Sequence, residues 1–250
     1  MARERMKFLN IEVDNVNMEE TIDEVKNLIN APGYHYVVTP NAAHIVMLEE
    51  DLEFKKVYDD ADLILTDGMP LIWISKVYGT PIKEKVSGSD AFPLICKMAA
   101  ENGYKIFILG AAEGVAAKAA EKLKGKYPDL QVAGTYSPIY GFEKDEKEIK
   151  KVIDIVNDAK PDILFVGVGA PKQEKFIHKY KNELKVPISL GIGAAIDFEA
   201  GNIKRAPKWM QKSGLEGFYR FFKEPRRLFK RVFIEDFKIF GLAFKYRKNK

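Results

Sequence analysis

The chain has 250 residues, 46% of them hydrophobic and 30% charged, and a net charge of +4. That is enough to bury a real core as one large α/β domain, or as one domain plus an appendage. A single cysteine argues against a disulfide framework and a cysteine metal site, and no apolar run approaches the roughly 20 residues of a membrane-spanning helix.

The charged N-terminus, Met1 to Lys7, leads into a short strand-like run and lacks the apolar region of a signal peptide. A cytoplasmic chain with at most peripheral membrane contact is expected. Met18–Ile29 then sets Met18, Ile22, Val25 and Ile29 on one helical face, with Asn17 as N-cap. Strand-like runs follow at Tyr36–Thr39, Leu63–Thr66, Lys105–Leu109, Gln131–Gly134, Ile163–Val168 and Ile188–Ile192. Helical patterns fall between them at Ala42–Tyr58, Ala91–Glu101, Val115–Lys124, Lys144–Asn157 and Glu174–Leu184. Such alternation predicts an α/β fold, a Rossmann-like, mostly parallel sheet with helices on both faces. Ligands of these sheets bind beyond the carboxyl ends of the strands. The composition breaks near Lys204–Gly217, which divides the chain into a Rossmann-like domain, 1–203, and a C-terminal appendage, 204–250.

Four strand ends carry unusual residues. In Thr39-Pro40-Asn41, proline extends Thr39 and leaves Asn41 either as a plain helix cap or as a ligand for an anion or hydroxyl. In Thr66-Asp67-Gly68, the carboxylate lies where a general base facing a cleft would lie, though Asp-Gly also simply makes turns. Gly110-Ala111-Ala112-Glu113-Gly114 lets backbone approach a diphosphate, or serves close helix–strand packing; it is not a full dinucleotide fingerprint. Gly169-Ala170-Pro171-Lys172-Gln173-Glu174 offers a cation and an amide to a nucleotide or sugar, or is a solvated first helical turn. The Asp59-Asp60-Ala61-Asp62 run mimics a metal-binding pair, but helix-end solvation accounts for it. His35, His44 and His178 lack metal-ligand spacing, with His44 near the pocket turn.

These motifs, in this order, followed by Arg205-Ala206-Pro207, Gly214-Leu215-Glu216, Tyr219-Arg220 and Lys223-Glu224-Pro225-Arg226-Arg227, resemble the WecG/TagA/CpsF family of glycosyltransferases from about Phe8 to about Arg231. The resemblance implies an inverting hexosyltransferase. It would move N-acetylmannosamine or a relative from a UDP-sugar donor to a polyprenyl-diphosphate-linked sugar, in bacterial surface polysaccharide or teichoic acid synthesis. It also implies a membrane-associating C-terminal appendage. Asp67 matches the family's proposed base, Thr39, Asn41 and Gln173 match pocket residues, and Arg220 and Arg227 match appendage arginines. The next basic position aligns with Lys230 or Arg231. Gly110, Gly169 and Lys172 complete the expected substrate-binding set. Arginines that neutralise the leaving diphosphate would make a metal or other cofactor unnecessary. No nucleic acid is expected as a partner, and a homo-oligomer stays open.

From Glu216 to Lys250 the appendage holds 11 Lys/Arg against 4 Asp/Glu, a surplus of +7 that leaves −3 for residues 1–215, and it holds 8 of the 16 Phe. On one continuous helix, Phe229, Phe233, Phe237, Phe240 and Phe244 fall within about a quarter of the circumference, with Arg227, Arg231, Lys238 and Lys245 opposite. This predicts a basic interfacial helix on an anionic membrane surface; the alternative is a helix that packs its Phe stripe on protein. A chain truncated after Gly214 is expected to stay folded but lose activity. Two rival functions share these features: another nucleotide-cofactor enzyme on the same fold, and a non-catalytic, membrane-bound nucleotide-sugar sensor.

Overall fold

The computed structural model describes residues 3–207, 209, 210, 216, 219, 221 and 236–247. Six parallel strands form one sheet in the order β4-β3-β8-β7-β5-β6: β3 (His35–Val38), β4 (Leu63–Ile64), β5 (Lys105–Gly110), β6 (Gln131–Tyr136), β7 (Ile163–Gly167) and β8 (Ile188–Gly191). Strand alternation feeds two cores. Val38, Ile64, Phe107, Leu109, Leu164 and Val166 point to one face, while Val37, Leu63, Ile106, Ile108, Phe165 and Leu190 point to the other. Burial on both faces explains the near-continuous apolar strands that the sequence displays.

The helices cover those faces as the spacing predicts, with differences at four places. The run expected as one helix over Ala42–Tyr58 divides into α2 (Ala42–Met47) and α3 (Leu52–Asp59), because Asp51 caps Phe54 N and starts a new helix. The short strand-like run expected after the charged N-terminus is an antiparallel hairpin of β1 (Arg5–Phe8) and β2 (Ile11–Asp14), and two helices not expected from the spacing are α4 (Met69–Val77) and the six-residue α9 (Ala195–Ala200). The remaining helices are α1 (Met18–Asn30), α5 (Gly88–Asn102), α6 (Val115–Lys126), α7 (Glu146–Ala159), α8 (Lys172–Leu184) and α10 (Asp236–Arg247). At α1 the expected Asn17 cap is present as a capping box with Glu20.

Asp14 ties the hairpin to the sheet. Its fully buried carboxylate accepts from Arg5 Nε and Nη2 at 2.9 and 2.8 Å and from the backbone N–H of Ile64 at 2.8 Å. Glu49 at the end of α2 does the same for α10, accepting from Asn10, Lys245 and Tyr246 at 2.7 to 2.8 Å. Burial opposes its ionisation, but these donors hold it below the usual carboxylate range. Ile239 of α10 is fully buried in the core, with Leu242, Ala243 and Tyr246 packed behind it, and Tyr78 donates to the carbonyl of Ala243. Phe240 and Phe244 lie on the exposed side. The described part of the tail is thus apolar on two sides, and Lys245 turns to Glu49 of the body. Phe229, Phe233, Arg227 and Arg231 of the expected stripe and basic face lie outside the described residues. Ending the chain after Gly214, which is expected to leave the fold intact, would remove Ile239 from the core and two donors from Glu49.

Among the described residues no helix is long and apolar enough to cross a membrane. Asp14→Ala should lower the unfolding free energy by about 2–4 kcal/mol, because it orphans the Ile64 N–H and unpairs Arg5. Urea denaturation checks this as a lowered midpoint at unchanged slope.

Candidate active site on the carboxyl rim of the sheet

Parallel strands end together, so the motifs scattered along the sequence meet on one rim. Reading across the sheet, the turns after β4 and β3 carry Asp67, Thr39 and Asn41. Those after β8 and β7 carry Gly193, Gly169 and Lys172, and those after β5 and β6 carry Gly110 and the Tyr136–Glu143 segment.

At the β3–β4 end the ladder continues past the strands. Leu65 N donates to Val38 O at 2.9 Å and Asp67 N donates to Pro40 O at 2.8 Å. The partly exposed Asp67 is therefore pinned beside the Thr39-Pro40-Asn41 turn. Asn41 is the α2 cap, accepting from His44 N at 3.1 Å. Beneath this turn lies a buried polar layer: His44 Nδ1 is 2.9 Å from Tyr58 Oη, and His44 Nε2 is 3.5 Å from Asn41 Nδ2. Burial pushes the Tyr58 hydroxyl well above its ordinary pKa, and the charges of Glu174 and Asp67 push the same way.

At the centre, Gln173 is 3% exposed and Glu174 1%. Gln173 Oε1 accepts from Gly169 N at 3.2 Å and from Gly193 N at 3.1 Å, while its Nε2 donates to Glu174 Oε1 at 2.7 Å. Both ends of the amide are thus engaged by protein. Burial raises the Glu174 carboxyl to about 7, partly offset by the Gln173 hydrogen bond. Its other oxygen, Oε2, is buried without a partner among the described residues.

At the β5–β6 end a cavity of about 730 Å³ opens between the Ala111–Gly114 turn, the Thr135–Glu143 segment, Gly167, Val168 and Lys172. Gly110 has φ +121, and a Cβ there would meet Gly167 O at 2.5 Å, so close strand packing alone requires glycine. Helix α6 starts at Gly114 without a side-chain cap, leaving its N-terminal end at the cavity. Lys172 Nζ pairs with Glu143 at 3.2 Å and sits 4.6 Å from the ring centre of the exposed Tyr140.

The motif arginine Arg205 reaches Asp90 Oδ1 at 2.7 Å, beside Lys85. Burial opposes ionisation of Asp90, but Ser87, Arg205 and Lys85 hold it down at about 2. Of the Asp-rich run, Asp59 pairs with Lys55, Asp60 with His178 and Asp62 with His35. Arg220, Arg227, Lys230 and Arg231 lie outside the described residues.

Sequence reasoning brought Thr39, Asn41, Asp67, Gly110, Gly169, Lys172 and Gln173 to this rim. It missed the Tyr136–Glu143 segment, the His44–Tyr58 pair and the buried state of Glu174. A glutamate in a first helical turn reads as an ordinary partner of the helix dipole; only its neighbours bury it.

A model of the glycosyl transferase WecG/TagA/CpsF family matches residues 6–250. The chain is similar to three proteins named N-acetylglucosaminyldiphosphoundecaprenol N-acetyl-beta-D-mannosaminyltransferase. That of Bacillus spizizenii is 34% identical over 77% of this chain and 72% of the relative. That of Bacillus subtilis is 31% identical over 96% and 91%. That of Staphylococcus aureus strain MW2 is 26% identical over 90% and 87%.

The Glu174 carboxyl sets a pH dependence of stability. Because its folded value is raised from 4.5 to about 7, the folded chain keeps a proton that the unfolded chain releases. Its contribution is full below pH about 4.5 and is lost as pH rises through about 7, on the order of 3 kcal/mol in all. Between pH 5 and 8 the melting temperature of the parent chain should fall relative to that of Glu174→Gln. Parallel curves would show that the carboxyl titrates normally.

Proposed function

Since the chain belongs to the WecG/TagA/CpsF family of glycosyl transferases, we propose that it transfers N-acetylmannosamine, or a close relative, from UDP to an N-acetylglucosaminyl-diphosphate-linked polyprenol. The names of its relatives support the acceptor and the sugar. The observation that carries the reading is the Asp67 N–H bond to Pro40 O, which sets a partly exposed carboxylate beside Thr39 and Asn41.

In this reading the acceptor hydroxyl lies between Asp67 and the anomeric carbon of the donor. Asp67 takes the hydroxyl proton as the oxygen bonds to that carbon, and the bond to UDP breaks on the opposite side. Configuration inverts, and UDP leaves with the electron pair. Thr39 and Asn41 bind sugar hydroxyls. The diphosphate and nucleoside occupy the cavity at the β5–β6 end, where the N-terminal end of α6 offers N–H groups and Lys172 a cation. Arg220, Arg227 and Lys230 or Arg231 neutralise the charge that develops on the leaving diphosphate. A metal ion is unnecessary if these cations act together. Engagement of Asp59, Asp60 and Asp62 by Lys55, His178 and His35 supports reading that run as structural.

The same reading places the protein peripherally on an anionic leaflet. The exposed Phe240 and Phe244 and the +7 surplus of the tail support it.

With purified protein, solubilised lipid-linked acceptor and a panel of UDP-sugars, UDP release is expected with the N-acetylmannosamine donor. Asp67→Asn should cut that rate about a thousandfold while leaving donor binding by calorimetry within about threefold. No release with any UDP-sugar would overturn the reading in favour of a sensor. Separately, Phe240→Ser/Phe244→Ser should weaken sedimentation with phosphatidylglycerol vesicles by about tenfold or more, with an unchanged melting temperature. Undiminished sedimentation would remove α10 from the membrane face.

A further inference from the structure

The two central strands part at the rim. β7 and β8 pair up to Val166 and Gly191, and Ile192 N still reaches Val166 O at 2.9 Å. Past that point the N–H groups of Gly169 and Gly193 both turn to one acceptor, Gln173 Oε1, at 3.2 and 3.1 Å. A carbonyl oxygen has two lone pairs, so these two bonds fill it.

This clasp works in one orientation only. A side-chain amide turned over by half a turn keeps its shape but exchanges acceptor for donor. The reversed amide would point N–H groups at two N–H groups. Glu174 opposes that reversal, because its Oε1 accepts from Gln173 Nε2 at 2.7 Å, a bond that the reversed amide would lose. With Gln173 and Glu174 almost fully buried, the amide itself has little access to water. The amide also lies flat on β8: a Cβ at Gly191 would come within 2.8 Å of Gln173 Nε2.

We propose that Glu174 is a positioning residue for the transfer reaction. It fixes which way the Gln173 amide faces, and through that amide it sets the separation of the Gly169 and Gly193 turns. Those turns lie between the Asp67 turn and the Tyr140 cavity in strand order, so they set the span between the base and the leaving group. Glu174 itself touches no substrate. The link to activity rests on the transferase reading; the clasp itself does not.

The test compares Glu174→Met, which fills the space without an acceptor, with Glu174→Gln, whose amide oxygen can still accept. Hydrogen exchange of peptides that cover Gly169 and Gly193 reads the clasp, and UDP release reads its consequence. In Glu174→Met, exchange should speed up and kcat/KM should fall, each about tenfold or more. Glu174→Gln should stay within about threefold of the parent chain in both. In a double-mutant cycle, adding Glu174→Met to Gln173→Leu should cost almost nothing further, since Glu174 acts through that amide. Parent-like exchange and kinetics in Glu174→Met would overturn the proposal, as would full additivity with Gln173→Leu. Should Glu174→Met fail to fold, the parent chain decides: rapid exchange at Gly169 and Gly193 there would mean that no clasp exists. A parent chain that releases no UDP would sink the transferase reading, while the exchange data would still judge the clasp.

Discussion

Parallel strands bring their carboxyl ends to one edge, and there the backbone runs out of sheet partners. The two N–H groups of Gly169 and Gly193 lie at the middle of that edge, and Gln173 supplies the single oxygen that takes both. A buried N–H without an acceptor costs about 1–3 kcal/mol, so the geometry of the central rim depends on one side-chain amide. Everything to its left in strand order belongs to the Asp67 turn, and everything to its right belongs to the Tyr140 cavity.

The two ends of the rim differ in their polar groups. The Asp67 carboxylate stands at the β4 end, while the Lys172–Glu143 pair and the uncapped start of α6 stand at the cavity. Beneath them the buried groups are kept near neutral. Tyr58 is held well above its ordinary pKa by burial and by its acidic neighbours, and Glu174 is raised towards neutrality by burial.

Helix α10 joins the two halves of the chain's charge asymmetry. The body is mildly acidic and the tail strongly basic, and Glu49 receives Lys245 and Tyr246 where they meet. Ile239 faces the core while Phe240 and Phe244 face outward. Apolar residues thus lie on more than one side of this helix, and a single-stripe wheel cannot display that.

The alternation of buried strands with amphipathic helices was legible because a sheet covered on both faces makes each strand apolar along its length and each helix apolar on one stripe. For the same reason the strand ends were legible: Pro, Gly, Asn and Asp mark where ladders stop, and Thr39, Asn41, Asp67, Gly110, Gly169 and Gln173 all sit at such stops. The break at Asp51 and the hairpin held by Asp14 were less legible. A cap inside a helical pattern and a carboxylate that binds Arg5 and Ile64 N take their meaning from partners distant in the chain. Residue types and spacing by themselves determined the fold class, the rim and the family likeness. Only the tertiary structure decided that Gln173 faces inward, that burial raises the Glu174 carboxyl to about 7, and that α10 docks on the body. Each of these depends on which groups surround a side chain, and burial is set by the packing of elements far apart in sequence.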